Sequence, residues 1–556
     1  MKKFVFAVCC FGITQLSNAQ LPSNYFQETL DNGLQVLVIE NNYQPIVNVT
    51  TCVKNGTAYE ADSVSGLGYL LSKLFTGANK DFPLSGSFQK QINKIGAVYN
   101  QQFTDEGSSF SFSGHQKNTT AILNLINSAF RNPLYPADEI AAAVSQTENE
   151  YQTIKSDPFY LLNDDMNHQL WTNNYSRKNS LGNYKTISNA DAAVLLKYHQ
   201  QFYQPQRCCL ILNGAVNHIE VFASIEKIFG TWKNDNTNPV LSSKIFKPEY
   251  SSQFVTSTPL TPVPVFMVSF QIPDLRENLN PNLEAMLLQE LLNESTSQVK
   301  NNLISTELAN DIQVIYNPAK FGGQINFMLA ANTSKLQTAY QTLLNQFILM
   351  SNNGYYTQQL LDKAKADLIE NKKRSSETVS DQNILLANSW LLNSFNWETN
   401  FEESINQIST DDLANFAALY LNHQVFISGL VISPAQKQMY QTDSFFMSTK
   451  GAEDYVFSFT KNDATFLGVE NQIKLQSLIQ WLKINDGIKM ELSCYQDAVE
   501  RKETARDRFV SMYKTMLDAG LSSDLLQSIP VSIFIQHGIS ESEIQSNQKV
   551  VLKIVK

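Results

Sequence analysis

The sequence predicts a mixed α/β (α+β) protein made of two similar units and a smaller third one. Strand-like runs and helical patterns alternate through most of its 556 residues, which is the mark of mixed layers. The stretches ISNADAAVLLKYHQQFYQPQRCCLILNGAV (187–216) and ISTDDLANFAALYLNHQVFISGLVISP (408–434) run in the same order, an Ile-Ser-x-x-Asp start, a helix, an aromatic and a strand. Two units that close in the same way point to internal duplication. The final hundred residues have a strand-helix-strand-helix-strand-strand rhythm of their own. A chain of this length suits about three domains, each able to bury a core.

In order, LQVLVIE and IVNVTTCVKNG within 33–56 read as strands, and a helix is expected over 66–76. Helices follow near 85–95, 118–130 and 137–154, with the strand SSFSFSG between the first two. A helix over 190–202 leads to the strand CCLILNGAV, and a helix over 217–232 ends at Trp232. The second unit repeats the order. It has the strand VPVFMVSFQIP, a helix over 279–293, the strands DIQVIYNP and GGQINFMLAAN, and helices over 334–351 and 356–375. Ser188 and Ser409 are expected N-caps, because their hydroxyls can accept from exposed helix N–H groups. The tail has helices near 470–484 and 499–519, Gly520 just past the second, and the strands PVSIFIQHG and KVVLKIVK. The expected boundaries are 1–19 for a leader, 20–237 and 263–438 for the two units, 439–456 for a linker and 457–556 for the tail domain.

The first 20 residues, MKKFVFAVCCFGITQLSNAQ, combine a basic start, an apolar run and a small-residue exit. They read as a bacterial export leader cleaved after Ala19, which places the product in the periplasm, with the outer membrane or cell wall as an associated surface. No later run of 18 apolar residues occurs, so no membrane span is expected. The net charge of −10, or −12 once Lys2 and Lys3 are removed, argues against nonspecific binding to nucleic acid or anionic lipid. Cys52, Cys208, Cys209 and Cys494 remain; adjacent Cys208 and Cys209 point to opposite faces of one strand and lack any metal-binding spacing. A Cys52 bridge to one of them and plain buried thiols both stay open. His115, His168, His199, His218, His423 and His537 are never three or four residues apart, so no zinc motif is formed among them.

Residues 66–80, GLGYLLSKLFTGANK, resemble the active-site helix of the insulinase/pitrilysin-type (inverzincin) metallopeptidases. That family reads roughly G-x-x-HxxEH-x-x-F-x-G-[TS], and Gly66, Leu67, Phe75 and Gly77 fall at its flanks. The resemblance continues through IGAVYNQQFTDE and NPLYPADEIAAAV, and spans about 26–436. It implies that Tyr69, Ser72 and Lys73 stand where the two histidines and the glutamate belong, with Glu150 at the third zinc ligand and Ala143 in place of a nearby glutamate. In the second unit it puts Leu303 and Asn310 where the family has an arginine and a tyrosine. Histidines at i and i+4 can grip one metal, whereas a lysine ammonium has no lone pair and repels a cation. The resemblance therefore implies a peptidase fold with a degenerate site, no cofactor and no catalysis, and two units that face each other as a clamshell.

The tail resembles the OmpA-like peptidoglycan-binding family. Cys494-Tyr495-Gln496-Asp497 matches its G-H-T-D, Arg508-Phe509-x-x-Met512 its R-A-x-x-V, and Asn547–Leu552 its N-x-R-V-x-I. In that family an aspartate and an arginine take the ammonium and carboxylate of a wall peptide, and Asp497 and Arg508 keep those charges. A shortened segment between them predicts weak wall binding or none. The expected function is a noncatalytic periplasmic protein that binds a polypeptide or docks in an envelope assembly, with a protein, peptide or related peptidase-like subunit as partner. Two alternatives stand beside it: a subunit of a zinc peptidase whose active site lies in a partner chain, and a peptidoglycan-anchoring protein.

Overall fold

The computed structural model describes residues 22–171, 181–233, 248, 251–261, 263–275, 279–422 and 424–436, and most of 454–555. The leader, about half of 238–262 and most of the expected linker 439–456 lie outside the described residues. The first sheet has six strands: β1 (Tyr25–Thr29), β2 (Gln35–Glu40), β3 (Ile46–Val53), β4 (Val98–Phe103), β5 (Ser108–His115) and β6 (Cys208–Gly214). Their order is β1-β2-β6-β3-β5-β4. The second sheet contains β7 (Ser252–Ser257), β8 (Val265–Ile272), β9 (Asp311–Asn317), β10 (Gly323–Ala330) and β11 (Ile427–Ile432), in the order β7-β11-β8-β10-β9.

Apart from the extra edge strand β1, the two sheets are the same object. β2 pairs parallel with β6 as β7 does with β11. β6 runs antiparallel to β3, and β11 to β8. The β3–β5–β4 meander is matched by β8–β10–β9. The structure places β7 between the two expected units, in the stretch 238–262. Extended Ser252–Ser257 satisfies its backbone against β11, so the second sheet begins before residue 263.

Two helices absent from the expected set join the sheets. Helix Pro158–Trp171 belongs by sequence to the first unit but packs on the second sheet: Leu162, Met166, Leu170 and Trp171 bury against Val265, Met267, Ile427 and Val431. Helix Val379–Leu392 makes the return crossing. Leu386, Ala387, Trp390 and Leu391 bury against Leu37, Ile39, Cys52, Cys209 and Ile211 of the first sheet. Each crossing is pinned by an indole. The Trp171 Nε1–H donates to Gln324 Oε1 at 2.7 Å, and the Trp390 Nε1–H to Gln35 Oε1 at 2.8 Å. Asn383 reaches deeper and donates to Asn48 Oδ1 at 2.6 Å and to the Ile211 carbonyl at 3.1 Å. The two units thus face each other through packed, hydrogen-bonded surfaces.

Local chemistry sets the other boundaries. Ser409 caps its helix in a reciprocal capping box with Asp412. Ser188 does not play the matching role: it ends the short helix Tyr184–Ser188, and Asp191 caps Ala192–Phe202 by accepting from Val194 N–H. The helix expected to run to Trp232 is His218–Phe229. Cys52 and Cys209 face each other across β3 and β6, and all four described cysteines are free and buried. Cys208 points into the first unit's own core and Cys209 to the face covered by the crossing helix.

The tail forms a separate sheet of β12 (Asp454–Ser458), β13 (Lys489–Asp497), β14 (Val531–Gln536) and β15 (Lys549–Val555), in the order β12-β15-β13-β14. β12 begins three residues inside the expected linker because Asp454–Ser458 pairs with β15. Helix Thr504–Asp518 lays Ala505, Met512 and Met516 on Leu492, Cys494, Val550 and Leu552. Gly520 takes φ +90°, a left-handed conformation that ends the helix with little strain. Truncating Trp171 or Trp390 to Ala should each cost about 3–5 kcal/mol. Both sheets should then lose stability together in one denaturant transition; a variant that melts only one of them would show the crossings to be dispensable.

Candidate functional site

Helix Leu67–Lys73 is positioned by its N-terminus. Gly66 has φ +95°, and a Cβ there would stand 2.7 Å from Ile187 Cδ1, so glycine is required for both conformation and space. The fully buried Glu60 carboxylate accepts from the N–H groups of Gly66 and Gly68 at 2.8 Å each, which neutralises the helix's positive end. Tyr198 O–H adds a third bond to Glu60 at 3.0 Å. Phe75 anchors the far end by stacking on Phe110 at 3.7 Å. Phe75 and Gly77 lie one residue nearer Lys73 than the family pattern asks, and the helix ends at Lys73. Glu139 closes the turn, accepting from Ala78 N–H at 2.8 Å.

One turn apart, Tyr69 and Lys73 share a face and meet Glu150 of helix Ala137–Lys155. The Tyr69 hydroxyl donates to Glu150 Oε2 at 2.5 Å, and the Lys73 ammonium to Oε1 at 2.8 Å. Lys73 Nζ also lies 4.8 Å from the Tyr69 ring centroid, and Phe103 of β4 meets that ring edge-on at 5.7 Å. Gln146, one turn before Glu150, gives Oε1 a further bond at 3.1 Å; its i−4 spacing was the available signal for it. Ser72 is buried with its hydroxyl returned to the Tyr69 carbonyl at 2.7 Å. Ala143 is buried, and its carbonyl accepts from Thr147. The structure thus brings the side chains of Tyr69, Lys73 and Glu150 together, with Ser72 bonded only to the Tyr69 backbone carbonyl and Ala143 buried in the helix that carries Glu150.

The electrostatics follow from these bonds. Burial raises the Glu150 carboxyl, but the bonds from Lys73 and Tyr69 outweigh it and hold the group below its ordinary value of 4.5. Burial first, and Glu150 second, push the Tyr69 phenol well above its usual range. A zinc ion does not fit this donor set. The ammonium offers no lone pair, the phenol keeps its proton, and one carboxylate is short of the three protein ligands zinc needs. Among the described residues, no group of three His, Cys, Asp or Glu side chains could hold a metal.

The other candidates lie elsewhere. Leu303 is buried in the second unit's core, and Asn310 is exposed before β9 with its N–H on the Ala330 carbonyl. In the tail, Arg508 is fully buried and paired twice with Glu500, at 2.6 and 3.0 Å. It also donates to the carbonyls of Tyr495, Thr460 and Asp463. Asp497, equally buried, accepts from Val499 N–H and from the Asn547 amide at 2.8 Å. Glu500, which the sequence reading passed over, therefore holds the guanidinium inward.

Because the Glu150 carboxyl is lowered on folding, its contribution is present above about pH 4.5 and is lost as pH falls through the folded value. Lys73→Ala should cost about 1–2 kcal/mol at pH 7, the scale of one charge-assisted bond at a partly exposed site. Denaturation curves of wild type and variant should converge once Glu150 is protonated; a pH-independent gap would assign the loss to packing.

Residues 35–183 match the model of the insulinase family (peptidase family M16), and residues 189–368 match that of the peptidase M16 inactive domain. The zinc protease PqqE of Helicobacter pylori is 22% identical over 424 residues, covering 74% of this chain and 93% of that protein. The mitochondrial-processing peptidase α subunit of Bos taurus is 25% identical over 36% of this chain and 39% of its own. Among solved structures, a protease from Helicobacter pylori superposes with a TM-score of 0.66 at 20% identity, over 73% of this chain and 99% of the other. The first half of the periplasmic protease PqqL from Escherichia coli gives 0.63 at 16% identity, over 76% and 95%. Of the complete PqqL structure this chain covers 54%. The matched inactive domain excludes Tyr69, Lys73 and Glu150, so its description says nothing about them. By these matches the chain belongs to the insulinase (M16) family, its first module followed by the family's inactive domain.

Proposed function

We propose that this chain is a noncatalytic, exported member of the family that binds polypeptide. Tyr69, Ser72 and Lys73 then occupy the places of the two histidines and the glutamate, and Glu150 that of the third ligand. One observation carries this reading: both Glu150 oxygens are taken, one by the Tyr69 hydroxyl and one by the Lys73 ammonium. A fixed cation on a side chain stands where the family needs an exchangeable one. Binding needs no metal. β4 is an edge strand of the first sheet, most of its residues exposed, and its Phe103 touches Tyr69. An extended segment added along that edge would run beside the cluster, held by backbone bonds.

The units of this reading are 20–237, 263–438 extended back to include β7, and a tail domain beginning at β12. The two units form the clamshell of this reading, joined by the packed crossing helices, and a second peptidase-like chain is its partner. The coverage of 54% of PqqL, and the naming of mitochondrial-processing relatives as α and β subunits, favour such a partner. A catalytic assembly whose active site lies in the partner is the second reading. Wall anchoring through Asp497 and Arg508 ranks third, since Glu500 and Asn547 already satisfy them.

Purified protein should carry no stoichiometric zinc and leave unfolded polypeptides intact. One tightly held zinc per chain with chelator-sensitive cleavage would overturn the noncatalytic reading. Tyr69→His, Ser72→Glu and Lys73→His together should raise zinc affinity by roughly an order of magnitude or more through a three-ligand set with Glu150. Unfolded polypeptide should bind the wild type, and Val98→Asp with Gln101→Asp on β4 should weaken binding about tenfold; wild type that binds none would sink the polypeptide reading. Cosedimentation with cell wall should be weak, whereas strong pull-down abolished by Asp497→Ala would bring the anchoring reading forward.

A further inference from the structure

The tail sheet is unfinished on one side. β14 is its outer strand, paired only with β13, and its other edge meets no strand among the described residues. Register places Val531, Ile533 and Ile535 beside Leu492, Cys494 and Gln496 on the face that helix Thr504–Asp518 covers. Exposure rises sharply across that one step. The β13 residues are 2%, 0% and 3% exposed, whereas their β14 neighbours are 39%, 54% and 59% exposed. An apolar row that belongs to the core side of a sheet thus stands open to water.

Edge strands in soluble proteins are commonly protected by charge. The six residues VSIFIQ of β14 include no ionisable side chain. The pattern V-x-I-x-I is also its own antiparallel complement. Centred on Ile533, a second strand of the same sequence sets Val531 against Ile535, Ile533 against itself and Ile535 against Val531. Net charge permits the approach: residues 454–556 carry 12 basic and 13 acidic side chains, so nearly all of the chain's −10 lies outside the tail.

We propose that β14 is a self-association surface, on which a second copy of this chain adds its own β14 antiparallel across a twofold axis. The two four-stranded sheets become one continuous eight-stranded sheet. Each copy satisfies the other's free backbone edge and covers its Val531, Ile533 and Ile535. An uncharged row offers a charged partner nothing specific, which is why a second copy is the occupant chosen. The proposal is independent of the reading of the Tyr69, Lys73 and Glu150 cluster.

The test uses the full mature chain in sedimentation equilibrium across a dilution series. Wild type should pass reversibly from monomer to dimer. Ile533→Lys and Ile535→Lys, at exposed positions, should keep the wild-type circular dichroism and weaken dimerisation at least tenfold. Val510→Lys, on the far side of helix Thr504–Asp518 from its buried residues, should not. The centred register brings residue 533 against itself, so Ile533→Cys should oxidise to a covalent dimer far more readily than Val510→Cys. A wild type monomeric at every concentration would overturn the proposal. A dimer untouched by the lysines, or one cross-linked equally at both positions, would overturn it too. Monomers that instead capture an extended peptide through Ile533 would assign the edge to a different occupant and equally reject self-pairing.

Discussion

The two sheets and their joint packing depend on two helices that cross between them. A half-buried sheet needs its apolar face covered, and here each sheet takes that cover from the other half of the chain. Leu162, Met166 and Leu170 do this for the second sheet, and Leu386, Trp390 and Leu391 for the first. The indole–amide bonds at Trp171 and Trp390 fix the registry, since an unpaired indole N–H or glutamine in that setting is costly. Asn383 tightens one side further by bonding β3 and β6 at once. The pairing is therefore specific, and the site helix is held in a frame to which both halves contribute.

Within that frame the Tyr69, Lys73 and Glu150 cluster is a local charge solution. A partly buried carboxylate requires a compensating cation or donors. A lysine one turn from a tyrosine supplies both, in a geometry fixed by Glu60 at the helix start and Phe75 at its end. The tail reaches a similar balance with Arg508 and Glu500, more deeply buried and with three carbonyls completing the guanidinium's bonds. In both places an acidic side chain that could face a ligand is bonded to the protein itself.

Much of this was legible in the sequence. The repeated unit endings foretold two sheets of one topology, and the family resemblance singled out Tyr69, Lys73 and Glu150, which the fold brings into contact. The short-range signals failed where partners are distant. Helix Pro158–Trp171 has an i, i+4, i+8 row in Leu162, Met166 and Leu170, but nothing nearby in sequence reveals the sheet it serves. Helix Val379–Leu392 buries Asn383, Ser389 and Trp390 alike, so no single apolar stripe marks it. β7 hid in a polar stretch because its role is to supply backbone to β11. Glu500 gave no signal because it meets Arg508 from the turn after β13, eight residues away and on no shared helix face.

The crossings also set a timetable for the growing chain. The first sheet lacks its inner strand β6 until residue 214 has emerged, although the match to the family's first model ends at 183. Its outer face, with Leu37, Cys52 and Ile211, then stays bare until residues 379–392 arrive. The first half cannot be finished until most of the second has been made, whereas the cover of the second, residues 158–171, is made before it. A chain of this design carries a large apolar surface unsheltered during synthesis, when contact with other chains competes with the pairing of its own halves.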